Sequence, residues 1–330
     1  MSVQTPALSP TNAAPDARLA HFPVALFSTV MGMAGLTLAW LKAAHLGGAP
    51  AWIGDGLRWV ASGLYLFLLV VYALKIVRHP GEVAAERRHP IKLNFFPAIS
   101  IGLLLLATAW VGAVPGAAQW MWGVGAAMHL GFTLWAMSSW IHHTYYDIKH
   151  ANPAWFIPVV GNILVPVAGV KLAPADISWF FFSIGLVFWL VLMTIVLYRL
   201  FFHEPLPVRL TPTLFILIAP PAVGFLSYLA LVGVLDAFAR VLYFTALFLT
   251  LLLATNALRF FRLPFFISAW AYSFPLAAMT IATFEMAARV GGTVFWGLGW
   301  GLIAVLSAVV MLLVGQTVRA AWQGKICVPE

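Results

Sequence analysis

The sequence predicts an all-α integral membrane protein in which ten helices form five hairpins around a central path. Three observations carry this. First, 63% of the 330 residues are hydrophobic and only 8% are charged, whereas soluble domains carry about 25% charged residues. Second, ten apolar stretches each approach or exceed the roughly 20 residues that cross a bilayer. Third, eight prolines lie inside those stretches, and all eight fall in odd-numbered ones. Proline removes a backbone donor and clashes with the preceding turn, so it kinks or breaks a helix. A bilayer tolerates the break only where neighbouring helices or a cavity satisfy the freed carbonyls. Bent odd helices should therefore line a path, and straight even helices should face lipid.

The elements follow in order. Residues 1–20 are polar and rich in Pro and Ala, without the basic start and apolar core of a signal peptide. They are expected to form a disordered cytoplasmic tail. Spans are expected at 22–44, 52–77, 95–114, 118–141, 154–172, 177–202, 211–234, 237–259, 265–288 and 293–318. The connecting loops are too short for a soluble domain, so residues 21–320 make one membrane domain, followed by a cytoplasmic tail at 321–330. Thirteen Lys and Arg residues fall in the tails and even-numbered loops, and five in the odd-numbered loops. Basic residues favour the cytoplasmic side, which puts both termini there and agrees with an even number of spans. The net charge of +8 is then a topology signal. It calls for no nucleic-acid partner, and it draws anions to the inner mouth.

The odd spans share a faint repeat of an aromatic or apolar residue, a proline, and then small residues. Its instances centre on Pro23, Pro97, Pro158, Pro220 and Pro275, with successive copies 54 to 74 residues apart, counting from either residue of the Pro220–Pro221 pair. That is the length of a helical hairpin, and such periods signal repeated architecture. Prolines also favour helix starts, which accounts for Pro23, Pro97 and Pro212. Pro166 and the Pro220–Pro221 pair lie well inside their spans and favour kinks that line a pore. Gly32, Gly35, Gly102, Gly161 and Gly224 sit near these prolines, where small residues allow close helix approach or leave a lumen free.

Enzymatic motifs are missing from the sequence. It contains neither a phosphate-binding Gly-x-x-x-x-Gly-Lys-Ser/Thr loop nor a His-Glu-x-x-His zinc helix. His129 and His142 have a haem-like spacing, yet no other histidine lies deep in a span, so no cofactor or metal is expected. His129 reads as a hydrogen-bonded packing residue. His142, His143, Tyr145 and Tyr146 read as interface anchors. Ionisable residues inside a membrane are costly and usually functional, and here Glu285 is the clearest. It is either a candidate for proton coupling or one half of an i,i+4 pair with Arg289. Without buried acids, a cation path is disfavoured. Backbone dipoles and hydroxyls can solvate anions without fixed charge, and Ser28, Ser100, Asn162, Ser273 and Thr280 on odd spans could supply them. Phe274 immediately precedes Pro275, and a phenyl ring at a constriction blocks ions sterically and by excluding water.

Three segments carry a resemblance: His89-Pro90-Ile91-Lys92-Leu93-Asn94-Phe95-Phe96-Pro97-Ala98, Ile218-Ala219-Pro220-Pro221-Ala222 and, most specific, Ala269-Trp270-Ala271-Tyr272-Ser273-Phe274-Pro275-Leu276. With them the chain resembles the tellurite-resistance/C4-dicarboxylate transporter family, which includes plant guard-cell slow anion channels. The resemblance covers residues 20–320. It implies ten helices in five hairpins with quasi-five-fold symmetry, pore-lining odd helices, a homotrimer with one pore per protomer, and a location in the bacterial inner (plasma) membrane. It also implies that Phe274 is the pore gate and that small anions such as chloride or nitrate pass. The alternative is a carrier or exporter of C4-dicarboxylates, sulfite or tellurite-related oxyanions, with or without proton coupling. A tight dicarboxylate carrier usually needs a cationic clamp, and no Lys or Arg sits deep in an odd span. A membrane enzyme or redox subunit is a third class, against which the missing catalytic clusters and paired buried histidines argue.

Overall fold

A computed structural model describes residues 15–144 and 146–328. Every regular element among them is helical. Among the described residues nine segments are long and apolar enough to cross a membrane: α1 (Val24–Gly47), α2 (Ala51–Arg78), α3 (Lys92–Trp110), α5 (Pro153–Leu172), α6 (Ala175–Phe202), α7 (Val208–Val232), α8 (Ala237–Ala254), α9 (Ile267–Val290) and α10 (Thr293–Trp322). The expected fourth span is α4 (Pro115–Ile141), a helix of 27 residues that falls outside that set. Its Gly, Trp and His residues dilute its hydropathy, although its length is ample.

The proline pattern translates into two kinds of helix. The even helices α2, α4, α6 and α10 run as unbroken α-helix for 27 to 30 residues, and α8 for 18. Each odd helix begins as a 3₁₀ segment and becomes α-helical only part-way along. The changeover comes at Phe27 in α1, Ala98 in α3, Ala219 in α7 and Ser273 in α9. α5 breaks twice, passing from α-helix at Phe156–Val160 through 3₁₀ at Gly161–Leu164 to α-helix again at Pro166. In α7 the 3₁₀ stretch runs for 11 residues with Pro212 inside it, although such runs rarely exceed three or four. Pro166, Pro220 and Pro221 therefore occupy the first turn of a fresh α-helix inside a span. There the missing N–H interrupts the backbone ladder only at the changeover, and the fixed φ of proline suits the first turn of a helix. The kink and the helix start are one feature.

Packing follows this division. The odd helices close a ring, with α1 against α3, α3 against α5, α5 against α7, α7 against α9, and α9 back against α1. Each even helix leans on the odd helix before it and touches the next one round, α10 closing on α1. In the most apolar 18-residue stretch of each odd helix 67–83% of the residues are buried, against 28–33% in α2, α6, α8 and α10. The outward faces carry large apolar residues such as Trp59, Phe67, Phe201 and Phe248, as lipid contact requires. The tail expected at 1–20 is described from Pro15, where a short helix (Pro15–Ala20) packs against α2. The remainder of that stretch lies outside the described residues, as does Tyr145.

Close approach between layers depends on glycine. A Cβ on Gly185 of α6 would lie 2.6 Å from the backbone nitrogen of Ile163, in the 3₁₀ break of α5. Backbone cannot give way as a flexible side chain can. Gly185→Ala is expected to destabilise the protein by about 1–3 kcal/mol through overpacking, measured as a lower melting temperature in detergent. Gly315→Ala, with nothing within 4 Å of the added atom, should leave the melting temperature unchanged.

Candidate functional site: a central cavity inside the ring

A cavity of about 70 Å³ lies inside the ring, and its walls come from all five odd helices and from none of the even ones. Its lining residues cluster at the 3₁₀-to-α changeovers. Ser28 follows the α start of α1, Phe95 and Ile101 bracket that of α3, and Phe156 begins the first α-helix of α5. Ala219 begins the α-helix of α7, and Phe274 follows the start in α9. Proline thus does two things at this level. It breaks the spans so that their walls draw apart, and it gathers five 3₁₀-to-α changeovers around one small volume.

The wall is almost wholly apolar. Among the described lining residues none is charged, and hydroxyls come only from Ser28 and Ser268. Both hydroxyls already donate within the wall, Ser28 Oγ to the Ala25 carbonyl at 2.6 Å and Ser268 Oγ to the Arg209 carbonyl. The lining residues furthest along α1, α3, α5 and α7 are Met31, Ile101, Leu164 and Val223, with Phe274 and Pro275 furthest along α9. The cavity therefore ends in an apolar collar.

Phe274 is half-buried, with its ring facing the cavity beside Gly35 of α1. A Cβ placed on that glycine would come within 3.5 Å of the phenyl Cδ2. The kink prolines divide between wall and packing: Pro220 and Pro275 line the cavity, while Pro23, Pro97 and Pro158 do not.

Of the five polar residues singled out from the sequence, Ser28 alone borders the cavity. Ser100, Asn162, Ser273 and Thr280 are fully buried away from it. Ser273 donates to the Trp270 carbonyl at 2.6 Å and Thr280 to the Leu276 carbonyl at 2.7 Å, which satisfies hydroxyls within their own helix. Ser100 and Asn162 join a cluster between α3, α4 and α5. Ser100 Oγ lies 2.9 Å from His129 Nδ1. Asn162 Nδ2 donates to Thr133 Oγ1 at 2.8 Å, and Thr133 Oγ1 donates to the Pro158 carbonyl at 2.7 Å. The last bond satisfies a carbonyl at a proline break. Residue type alone could not distinguish these helix-facing hydroxyls from cavity-facing ones, because both lie on broken spans.

Glu285 sits near the far end of α9, away from the cavity wall. Its carboxylate is held by Lys42 of α1 at 2.5 Å and by Arg289 at 3.0 Å, and Arg289 also donates to the Gly233 carbonyl at 2.7 Å. The i,i+4 pair expected from the sequence is present, extended by a third residue from a neighbouring helix. Among the described residues no group of His, Cys, Asp and Glu is placed to hold a metal ion.

Sequence reasoning did not single out Met31, Ile101, Leu164 or Val223 as wall residues. An apolar wall in an apolar sequence leaves no compositional trace, and only their places beside the proline breaks could have marked them.

A family model described as voltage-dependent anion channel matches residues 21–318. The S-type anion channel SLAH3 of Arabidopsis thaliana is 30% identical over 318 residues, covering 92% of this chain and 49% of the relative. The guard cell S-type anion channel SLAC1 of the same plant is 27% identical over 92% of this chain and 57% of its own length. A tellurite resistance protein TehA homolog of Haemophilus influenzae is 26% identical, with 92% of each chain covered. The chain thus spans roughly half the length of the plant proteins and nearly all of the bacterial one.

Proposed function

This chain belongs to the voltage-dependent anion channel family, and from that membership we propose that it passes small anions such as chloride or nitrate through the ring of odd helices. The observation that carries the reading is a cavity walled by five broken helices and by no unbroken one. Backbone dipoles at the five breaks can solvate an anion without a fixed charge to trap it. An uncharged wall favours loose, weakly selective passage over tight binding. The apolar collar excludes water in the closed state, and Phe274 is its movable member. The quasi-five-fold arrangement, supported by the closed ring of five, and cytoplasmic termini, supported by the excess of Lys and Arg in the tails and even-numbered loops, belong to the same proposal; a homotrimer and a plasma-membrane location join it on the family resemblance alone.

The test is electrophysiological. In oocytes or planar bilayers the reversal potential should follow the chloride or nitrate gradient when either is replaced by a large organic anion. A reversal potential that ignores the anion gradient would overturn the reading.

A second reading is an exporter of tellurite-related oxyanions, favoured by what the Haemophilus influenzae relative is called, with sulfite and C4-dicarboxylates as the other oxyanions that the family resemblance admits. It predicts saturable flux. If that flux is proton-coupled through Glu285, Glu285→Gln should abolish its dependence on the pH gradient. On the channel reading the same substitution removes a partner of Lys42 and Arg289, lowers stability and leaves ion selectivity unchanged. Uptake by the two proteins at matched surface expression, with and without a pH gradient, separates the outcomes.

A further inference from the structure

A second, larger hollow opens on the flank of the bundle, outside the ring. We propose that it is a lipid site holding one acyl chain of an anionic phospholipid, with the headgroup at Arg18. The hollow has a volume of about 490 Å³ and lies between α1, α2 and α10, with the C-terminal residues Gly324, Ile326 and Cys327 at its edge. Leu26 and Met33 form one wall, Leu64 and Leu68 a second, and Val314 and Val318 a third. Its depth is what separates it from the ordinary lipid-facing surface. It passes between two outer helices and reaches Trp270, which is 2% exposed and also lines the central cavity.

Length and charge select the occupant. The wall running from Phe22 into α1 as far as Met33 is roughly 16–20 Å long, at about 1.5 Å per residue in its α part and about 2 Å in its 3₁₀ turn. That is a little over half of a hydrocarbon core about 30 Å thick, so the hollow is about one leaflet deep. Its lining is apolar along this depth except for the hydroxyls of Thr29 and Thr317. Thr29 donates to the Leu26 carbonyl at 2.7 Å. Thr317 donates to the Leu313 carbonyl at 2.7 Å and accepts from Trp270 Nε1 at 2.9 Å. A hydrocarbon chain therefore meets no polar group in need of a partner. Arg18 lines the same hollow, and basic residues at the membrane edge attract anionic headgroups. With Trp270 forming a wall of both volumes, an acyl chain in the flank braces the segment that carries Phe274.

The test uses the purified full chain. Native mass spectrometry in detergent with added phosphatidylglycerol or phosphatidylcholine should show retained lipid with a preference for phosphatidylglycerol. Arg18→Gln should lower that preference about fivefold, as loss of one surface cation implies. Val314→Trp and Val318→Trp, at partly exposed positions that tolerate bulk, should reduce retention of both lipids. Cys327 is the only cysteine in the chain and lies at the hollow, so maleimide labelling of wild type should run slower in phosphatidylglycerol nanodiscs than in phosphatidylcholine ones. Equal labelling rates, or retention unaffected by both tryptophans, would overturn the proposal. So would a tryptophan variant that splits an oligomer and keeps its lipid, since the hollow would then belong to a second copy of the chain.

Discussion

Phe274→Ala is expected to raise anion current about tenfold or more, since lowering a barrier by only ~1.4 kcal/mol multiplies a rate tenfold. The phenyl ring is half-buried, faces the cavity, and belongs to the α9 part of an apolar collar. Alanine removes the ring from the collar and leaves the backbone at Pro275 in place. Gly35 across the gap adds no side chain to refill it. Currents from wild type and variant should be compared at equal surface expression, with reversal potentials under anion substitution. A larger current with an unchanged reversal potential assigns the ring to gating. An unchanged current removes Phe274 from that role. Leu276→Ala is the control, because Leu276 is buried one position past Pro275 and does not line the cavity.

Lys75→Met is expected to destabilise the protein by about 3–5 kcal/mol, the cost of leaving a buried charge uncompensated. Lys75 is 1% exposed. Its Nζ lies 3.0 Å from Glu86 Oε2 and donates to the Phe22 carbonyl at 2.8 Å, while the Tyr72 hydroxyl donates to the same carboxylate oxygen at 2.8 Å. The cluster ties the end of α2 to the short helix Pro80–Arg88 and to the backbone just before α1. Without Lys75 the carboxylate loses its ammonium partner while the Tyr72 hydroxyl remains, and the Phe22 carbonyl loses the Lys75 donor. The drop should appear as a lower melting temperature in detergent and reduced yield. Lys75→Met combined with Glu86→Gln should recover part of the loss, because removing both charges leaves none uncompensated. A double variant no better than the single one would show that the Phe22 contact, not the ion pair, carries the effect.

How much of this was legible beforehand depended on the kind of signal. The alternation of broken and unbroken helices was, because proline acts on its own backbone and that effect is local. Pro166 and Pro220–Pro221 lie mid-span in the sequence, and the structure turns each into a helix start after a 3₁₀ segment. Glu285 with Arg289 was legible in the same way, since i,i+4 spacing sets neighbours on a helix. Lys42, the third member, comes from another helix and left no trace in the spacing.

The sequence by itself determined which helices would be broken, that the chain is made for a bilayer, and where its basic residues cluster, because composition and proline placement act through local backbone chemistry and solvation. Only the tertiary structure decided which side chains face the cavity. Rotation of each helix about its axis depends on packing against its neighbours. Packing turned Ser100 and Asn162 toward the α4 histidine and threonine, turned Phe274 inward, and left Met31, Ile101, Leu164 and Val223 as the collar.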